Sequence, residues 1–164
     1  MKKVIDQKSK PSLFYIISVS LLTFVVPIIG FVAEHFVSDK ALTFALFGKW
    51  FIFSAVGLRL FLAGLKQVKQ PSFTLKQIFH IDSPESFPIL RELGFANLCF
   101  GLVGIISLFL PEWRIVSAFA SGLYYGLAGL QHGLKKPAGV NESFALWTDM
   151  GIFVLLLIYF ISMV

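Results

Sequence analysis

Two acids stand in this chain where acids are costly. Glu92 lies in ESFPILRELGF, residues 85–95, and Asp149 lies in ESFALWTDMGI, residues 142–152. The segments align without a gap, share Glu, Ser, Phe and Gly, and each opens a long apolar run. A charge at mid-membrane costs at least about 2.5–3.5 kcal/mol on insertion scales, so each acid is expected to face a partner, water or a ligand. The other polar side chains embedded toward the same end are Arg59, Asn97, Gln131 and His132, whereas Lys49 and His35 lie toward the opposite end. The spacing therefore predicts one cluster: Glu92, Asp149, His132, Arg59 and Asn97. It reads either as a ligand-binding pocket or as an internal network of ion pairs that locks a bundle together.

The residue types limit the chemistry such a cluster could perform. Haem ligation by two histidines needs a pair at one depth, and only His132 is embedded. A zinc site from His132, Glu92 and Asp149 is chemically possible, but no H-x-x-x-H or C-x-x-C spacing accompanies it. Cys99 is the single cysteine, which excludes an intrachain disulfide and a thiol redox pair. No glycine loop for nucleotides and no serine or cysteine nucleophile in a recognisable motif is present. No cofactor and no enzyme class is indicated.

The elements that must position the cluster are membrane helices. Hydrophobic residues make up 57% of the 164 and charged residues only 14%, against about a quarter charged in average soluble domains. The expected fold is all-α, a polytopic transmembrane bundle forming one integral membrane domain, 1–164. Five stretches are long enough to span: 12–33, 41–65, 88–110, 113–134 and 144–164, since about 20 apolar residues cross a hydrocarbon core of roughly 30 Å. Pro27 is expected to kink the first. Ten lysines and arginines (2, 3, 8, 10, 66, 69, 76, 91, 135, 136) fall on one side, with Lys40 and Arg114 on the other. By the positive-inside rule the N-terminus is cytoplasmic and the C-terminus outside. The basic charge is thus a topology signal, and the lipid bilayer rather than nucleic acid is the expected partner. Residues 73–81, FTLKQIFHI, alternate apolar and polar positions and read as a short interfacial helix or a packed loop. Ser83 and Pro84 then read as a helix start.

A repeat organises the spans. GLRLFLAGL (57–65) aligns with GLYYGLAGL (122–130), and each is followed by a basic loop and the E-S-F motif. Spans two to five thus form two parallel helical hairpins, 41–110 and 111–164, behind an N-terminal span in 1–40. In this frame Glu92 and Asp149 are equivalent and should approach a common axis, with Arg59 opposite Tyr124 and Gln67 opposite His132. Glycines at 94, 101 and 104 and at 122, 126, 129 and 133 are expected packing stripes.

RELGFANLCFG (91–101), GLAGLQH (126–132), Asn141 and Asp149 together resemble a family of small bacterial membrane proteins of unknown function. Its marks fall on Glu92–Leu98, on Gly126, Gly129 and His132, and on Asn141 and Asp149. Members often carry a histidine where this chain has Gln67, a departure that weakens a paired-histidine role. LRLFLAGLKQVKQP (58–71) also resembles the first helix of DoxX-like proteins, four-helix membrane proteins linked to quinone-coupled oxidation. That likeness implies a four-helix core plus one extra span. Three readings of function follow. The first is a bacterial inner-membrane protein that binds or moves a small polar or amphipathic ligand at a cytoplasmic-side pocket. The second is a structural or redox accessory subunit of a partner membrane complex. The third is an enzyme acting on a lipid or quinone with His132 as base.

Overall fold

A computed structural model describes residues 11–135, 137 and 139–164, and every regular element among them is helical. Helix α1 spans Leu13–Ser38, α2 Phe44–Lys69, α4 Pro84–Ile106, α5 Trp113–Lys135 and α6 Val140–Met163. The shorter α3, residues 71–79, lies in the loop between α2 and α4. Four helices, α1, α2, α4 and α6, are long and apolar enough to cross a membrane. The N-terminal lysines 2, 3, 8 and 10 and Lys136, which carried half of the cation asymmetry, lie outside the described residues.

Local sequence sets most of the boundaries. The Ser12 hydroxyl accepts from the Tyr15 amide at the start of α1, and the Thr43 hydroxyl accepts from the Leu46 amide at the start of α2. Such caps satisfy amides that have no partner within the helix. Asp39 and His80 take left-handed backbone conformations that close α1 and α3. Helix α4 opens with a 3-10 turn at Pro84–Ser86 and ends at Ile106, earlier than the apolar run predicted. There Arg114 donates to the Ser107 carbonyl at 3.0 Å, holding the tight turn into α5. Helix α6 begins at Val140, a turn before its apolar run, which places Asn141 and Glu142 inside the helix.

Both α1 and α2 carry a π-helical stretch, at Leu21–Val25 and Ile52–Leu58. The first ends two residues before Pro27, which has no amide to donate. Ser54 in the second donates to the Leu22 carbonyl in the first at 2.6 Å, so the two irregular stretches meet. At the far end of the same helix pair, Glu34 accepts from Lys49 at 2.6 Å and from the Trp50 indole at 2.7 Å.

The remaining long helices pack as α2 with α4 and α5 with α6. In the first pair glycine meets backbone, Gly104 against Gly57 and Gly101 against Phe61. In the second pair the glycines of α5 receive side chains, Gly126 taking Phe153 and Gly129 taking Met150. The core forms where the pairs meet, from Ile52, Val56 and Leu60 of α2, Tyr125 of α5, and Ile152 and Leu156 of α6.

The two hairpins differ in register. Gly122 faces Leu156, which the sequence alignment sets opposite Cys99, whereas Gly57 faces Gly104, more than a turn further on. Gly94 is packed against Gln67 and Val68, while its mate Gly151 is exposed with open space beside it. The connection between α2 and α4 contains α3 and is the longer of the two, so α4 is free to settle in a different register from α6.

Candidate functional site

Between the two hairpins and α1 lies a cavity of about 710 Å³. Its walls are largely apolar, and α3 covers one side through Phe73, Ile78 and Phe79. Four of the five predicted residues, Arg59, Asn97, His132 and Asp149, are buried and line it.

Arg59 occupies the first position after the π-helical stretch of α2, and Asp149 lies a little over two turns into α6. Arg59 Nη2 donates to Asp149 Oδ1 at 2.6 Å and to Thr148 Oγ1 at 3.1 Å. The guanidinium also lies over the Tyr125 ring, 5.2 Å from its centroid. The Tyr125 hydroxyl donates to the Ala55 carbonyl at 2.8 Å, within the π-helical stretch whose irregular backbone leaves that acceptor accessible. Asn97 donates to Gln67 Oε1 at 2.6 Å, joining α4 to α2. Two polar atoms in this lining meet no hydrogen bond of good geometry among the described residues, Arg59 Nη1, a donor, and Asn97 Oδ1, an acceptor; Tyr15 lies beside the Arg59 side chain and Tyr124 beside that of Asn97.

Glu92 does not belong to this group. It is exposed on the outer face of α4 and is absent from the cavity lining, so the expected approach of Glu92 and Asp149 to one axis is corrected. The shifted register of α4 explains the difference, because the face carrying Asn97 turns inward and the face carrying Glu92 turns away. Gln131 also lies on the cavity rim but is exposed. Replacing Glu92 with Gln is therefore expected to leave the thermal midpoint in detergent unchanged, and a clear drop would restore it to a structural pair.

The second buried carboxylate is Glu142, two residues ahead of the apolar stretch 144–164. It is fully buried at the start of α6. His80 Nε2 lies 3.3 Å from one of its oxygens, His132 Nδ1 lies 3.5 Å from the other, and Lys135 Nζ lies at 3.9 Å. His132 thus lines the cavity yet turns its Nδ1 toward Glu142. The polar side chains therefore form two groups, one around Arg59–Asp149 and one around Glu142.

The Glu142 group fastens the cover of the cavity. Lys135 donates to the Phe79 carbonyl at 2.9 Å, and the neighbouring Asn141 donates to Gln77 at 3.1 Å. Asn141 Oδ1 also accepts from the Ser12 amide at 2.9 Å, tying in the start of α1. The Phe79 ring stacks on His132 with centroids 6.3 Å apart. Glu142→Gln removes the charge that Lys135 and the two imidazoles face. It is expected to speed amide hydrogen exchange across residues 71–81 while leaving the middle of α4 protected. Unchanged exchange in 71–81 would mean that the carboxylate does not hold the cover.

The only signals for this group in the sequence were Asn141, as a mark of the family resemblance, and Glu142 in the second E-S-F copy. Its counterpart Glu85 is exposed, so the repeat gave no warning that Glu142 would be buried. No curated protein and no solved structure matches the chain. Residues 17–163 match a family of unknown function, DUF6790, and this stretch contains both polar groups and the whole cavity lining apart from the first residues of α1. The chain belongs to that family.

Proposed function

We propose that this chain is a bacterial inner-membrane protein that binds a small amphipathic ligand, and moves it, through the cavity between its two hairpins. The observation that carries this reading is the largely apolar 710 Å³ space lined by buried Arg59 and Asn97, each with a polar atom that meets no well-formed hydrogen bond. Small-molecule sites typically enclose about 300–1,000 Å³, with apolar walls and a few placed polar groups. Buried polar atoms without a partner are uncommon and cost stability, which a ligand oxygen or nitrogen would recover.

In this reading α5 is the fifth span. Its overall hydropathy is lowered by serines, glycines and polar residues on its buried face. Its exposed stripe, Val116, Phe119, Leu123, Leu127, Leu130 and Leu134, is apolar apart from Gln131 near its end, as a lipid-facing surface would be. The N-terminus is assigned to the cytoplasm from the lysines and arginines at the end bearing α3, which puts the cavity in the cytoplasmic half. The two hairpins are read as parallel repeats that diverged in register.

The test is to purify the protein in mild detergent, extract it with organic solvent and identify what copurifies by mass spectrometry. One amphipathic species near stoichiometric amount is expected in the wild type and is expected to be lost in Ala128→Trp, which fills the cavity. Matching extracts from a folded Ala128→Trp variant and the wild type would reject the reading.

A further inference from the structure

We infer that the cavity takes a single-chain amphiphile with an anionic head, its charge held at Lys66 and its chain lying along the apolar wall. This rests on the binding reading above and names the class of ligand. Three cationic or acidic side chains other than the histidine line the cavity: Arg59, Lys66 and Asp149. Asp149 is committed to Arg59 at 2.6 Å. Lys66 has no carboxylate within ion-pair distance among the described residues. The lining thus carries one cation in excess.

The surroundings of Lys66 make that excess matter. Its Nζ lies 3.3 Å from the centroid of Phe73 and 5.0 Å from that of Phe14, so aromatic rings shield part of it from water. Cation–π contact compensates a partly desolvated ammonium only in part, and a counter-charge is worth more there than in open water. Lys66 lies seven residues after Arg59 on α2, about 10 Å along the helix and nearer its end, the depth of an amphiphile's head.

The wall suits the rest of the molecule. Leu62 and Leu127 line the cavity and are 51% and 66% exposed, so the space opens onto the apolar outer surface of the bundle. An alkyl chain can enter between these two leucines. Arg59 Nη1 and Asn97 Oδ1 lie deeper and could meet an oxygen substituent on the chain.

The probes are cis-parinaric acid, a fluorescent single-chain carboxylate, and its methyl ester, which lacks the charge and carries one more methyl group. Binding is read by energy transfer from tryptophan in dodecyl maltoside, with protein-free micelles subtracted. The acid is expected to bind the wild type about tenfold more tightly than the ester. Lys66→Gln should abolish that ratio without weakening the ester, whereas Lys66→Arg should retain it. Arg91→Gln removes the same charge from an exposed position outside the cavity and should also retain it. Equal affinity of acid and ester for the wild type would overturn the anionic head and leave the binding reading standing. A ratio that survives in Lys66→Gln would overturn the assignment to Lys66. Displacement of the acid by an equal concentration of dioleoyl phosphatidylglycerol would overturn the single chain in favour of a bilayer lipid. If neither probe saturates, the inference fails, and the copurification test separately decides the binding reading.

Discussion

Asp149→Asn is expected to lower the thermal midpoint more than any other single polar substitution in the cavity lining. The two side chains of the Arg59–Asp149 pair are only 9% and 10% exposed. Removing one partner of a buried pair leaves the other charge uncompensated and typically costs about 3–5 kcal/mol. The asparagine keeps the shape and one acceptor for Arg59 Nη2, so the loss reports the missing charge rather than a cavity. The double variant Arg59→Met with Asp149→Leu should recover much of the midpoint, because well-packed apolar residues often replace a buried pair without loss. Unfolding of membrane proteins in detergent is commonly irreversible, so midpoints should be compared at one scan rate. An unchanged midpoint for Asp149→Asn would show that the pair contributes no stability. Loss of the copurifying ligand from a folded double variant would add a binding role to the structural one.

Alanine at Gly104 is expected to disrupt the α2–α4 hairpin, while alanine at Gly151 should be tolerated. A Cβ at Gly104 would lie 2.6 Å from the Gly57 amide nitrogen and 2.7 Å from its Cα. Both are backbone atoms, so the two helices would have to move apart as units. Overpacking typically costs about 1–3 kcal/mol where side chains can adjust. The cost at Gly104 should reach the upper end of that range or exceed it. Close backbone approach is also what brings membrane helices together, since lipid tails supply no hydrophobic drive between them. Gly126 provides an intermediate case, because its Cβ would meet the Phe153 ring at 2.9 Å and the ring can swing aside. Gly151 has nothing within 4 Å. The yield of monodisperse protein on size exclusion and the midpoint should fall in the order Gly151, Gly126, Gly104, from least to most affected. Equal effects at Gly104 and Gly151 would contradict the packing described.

Most of the fold was legible in the sequence. Long apolar runs, their flanking prolines and the cations at their ends are local properties, and they located each long helix to within a few residues. For segment 73–81 the sequence left a short helix and a packed loop both open; the structure makes it helical over 71–79 and packs it over the cavity. Arg59, Asn97, His132 and Asp149 could be singled out because a polar side chain inside an apolar run needs a destination. What the sequence determined by itself was therefore the set of helices and the list of side chains that could not face lipid. It did not determine which of those side chains meet. Glu92 and Asp149 share a local frame, yet one is exposed and the other is paired with Arg59, because glycine contacts set α4 in a different register from α6. Glu142 looked like a loop acid, and only the tertiary structure buries it, where α3, α5 and α6 converge and supply His80, His132 and Lys135. Register and convergence depend on contacts between residues far apart in the chain, and no local pattern of hydrophobicity records them.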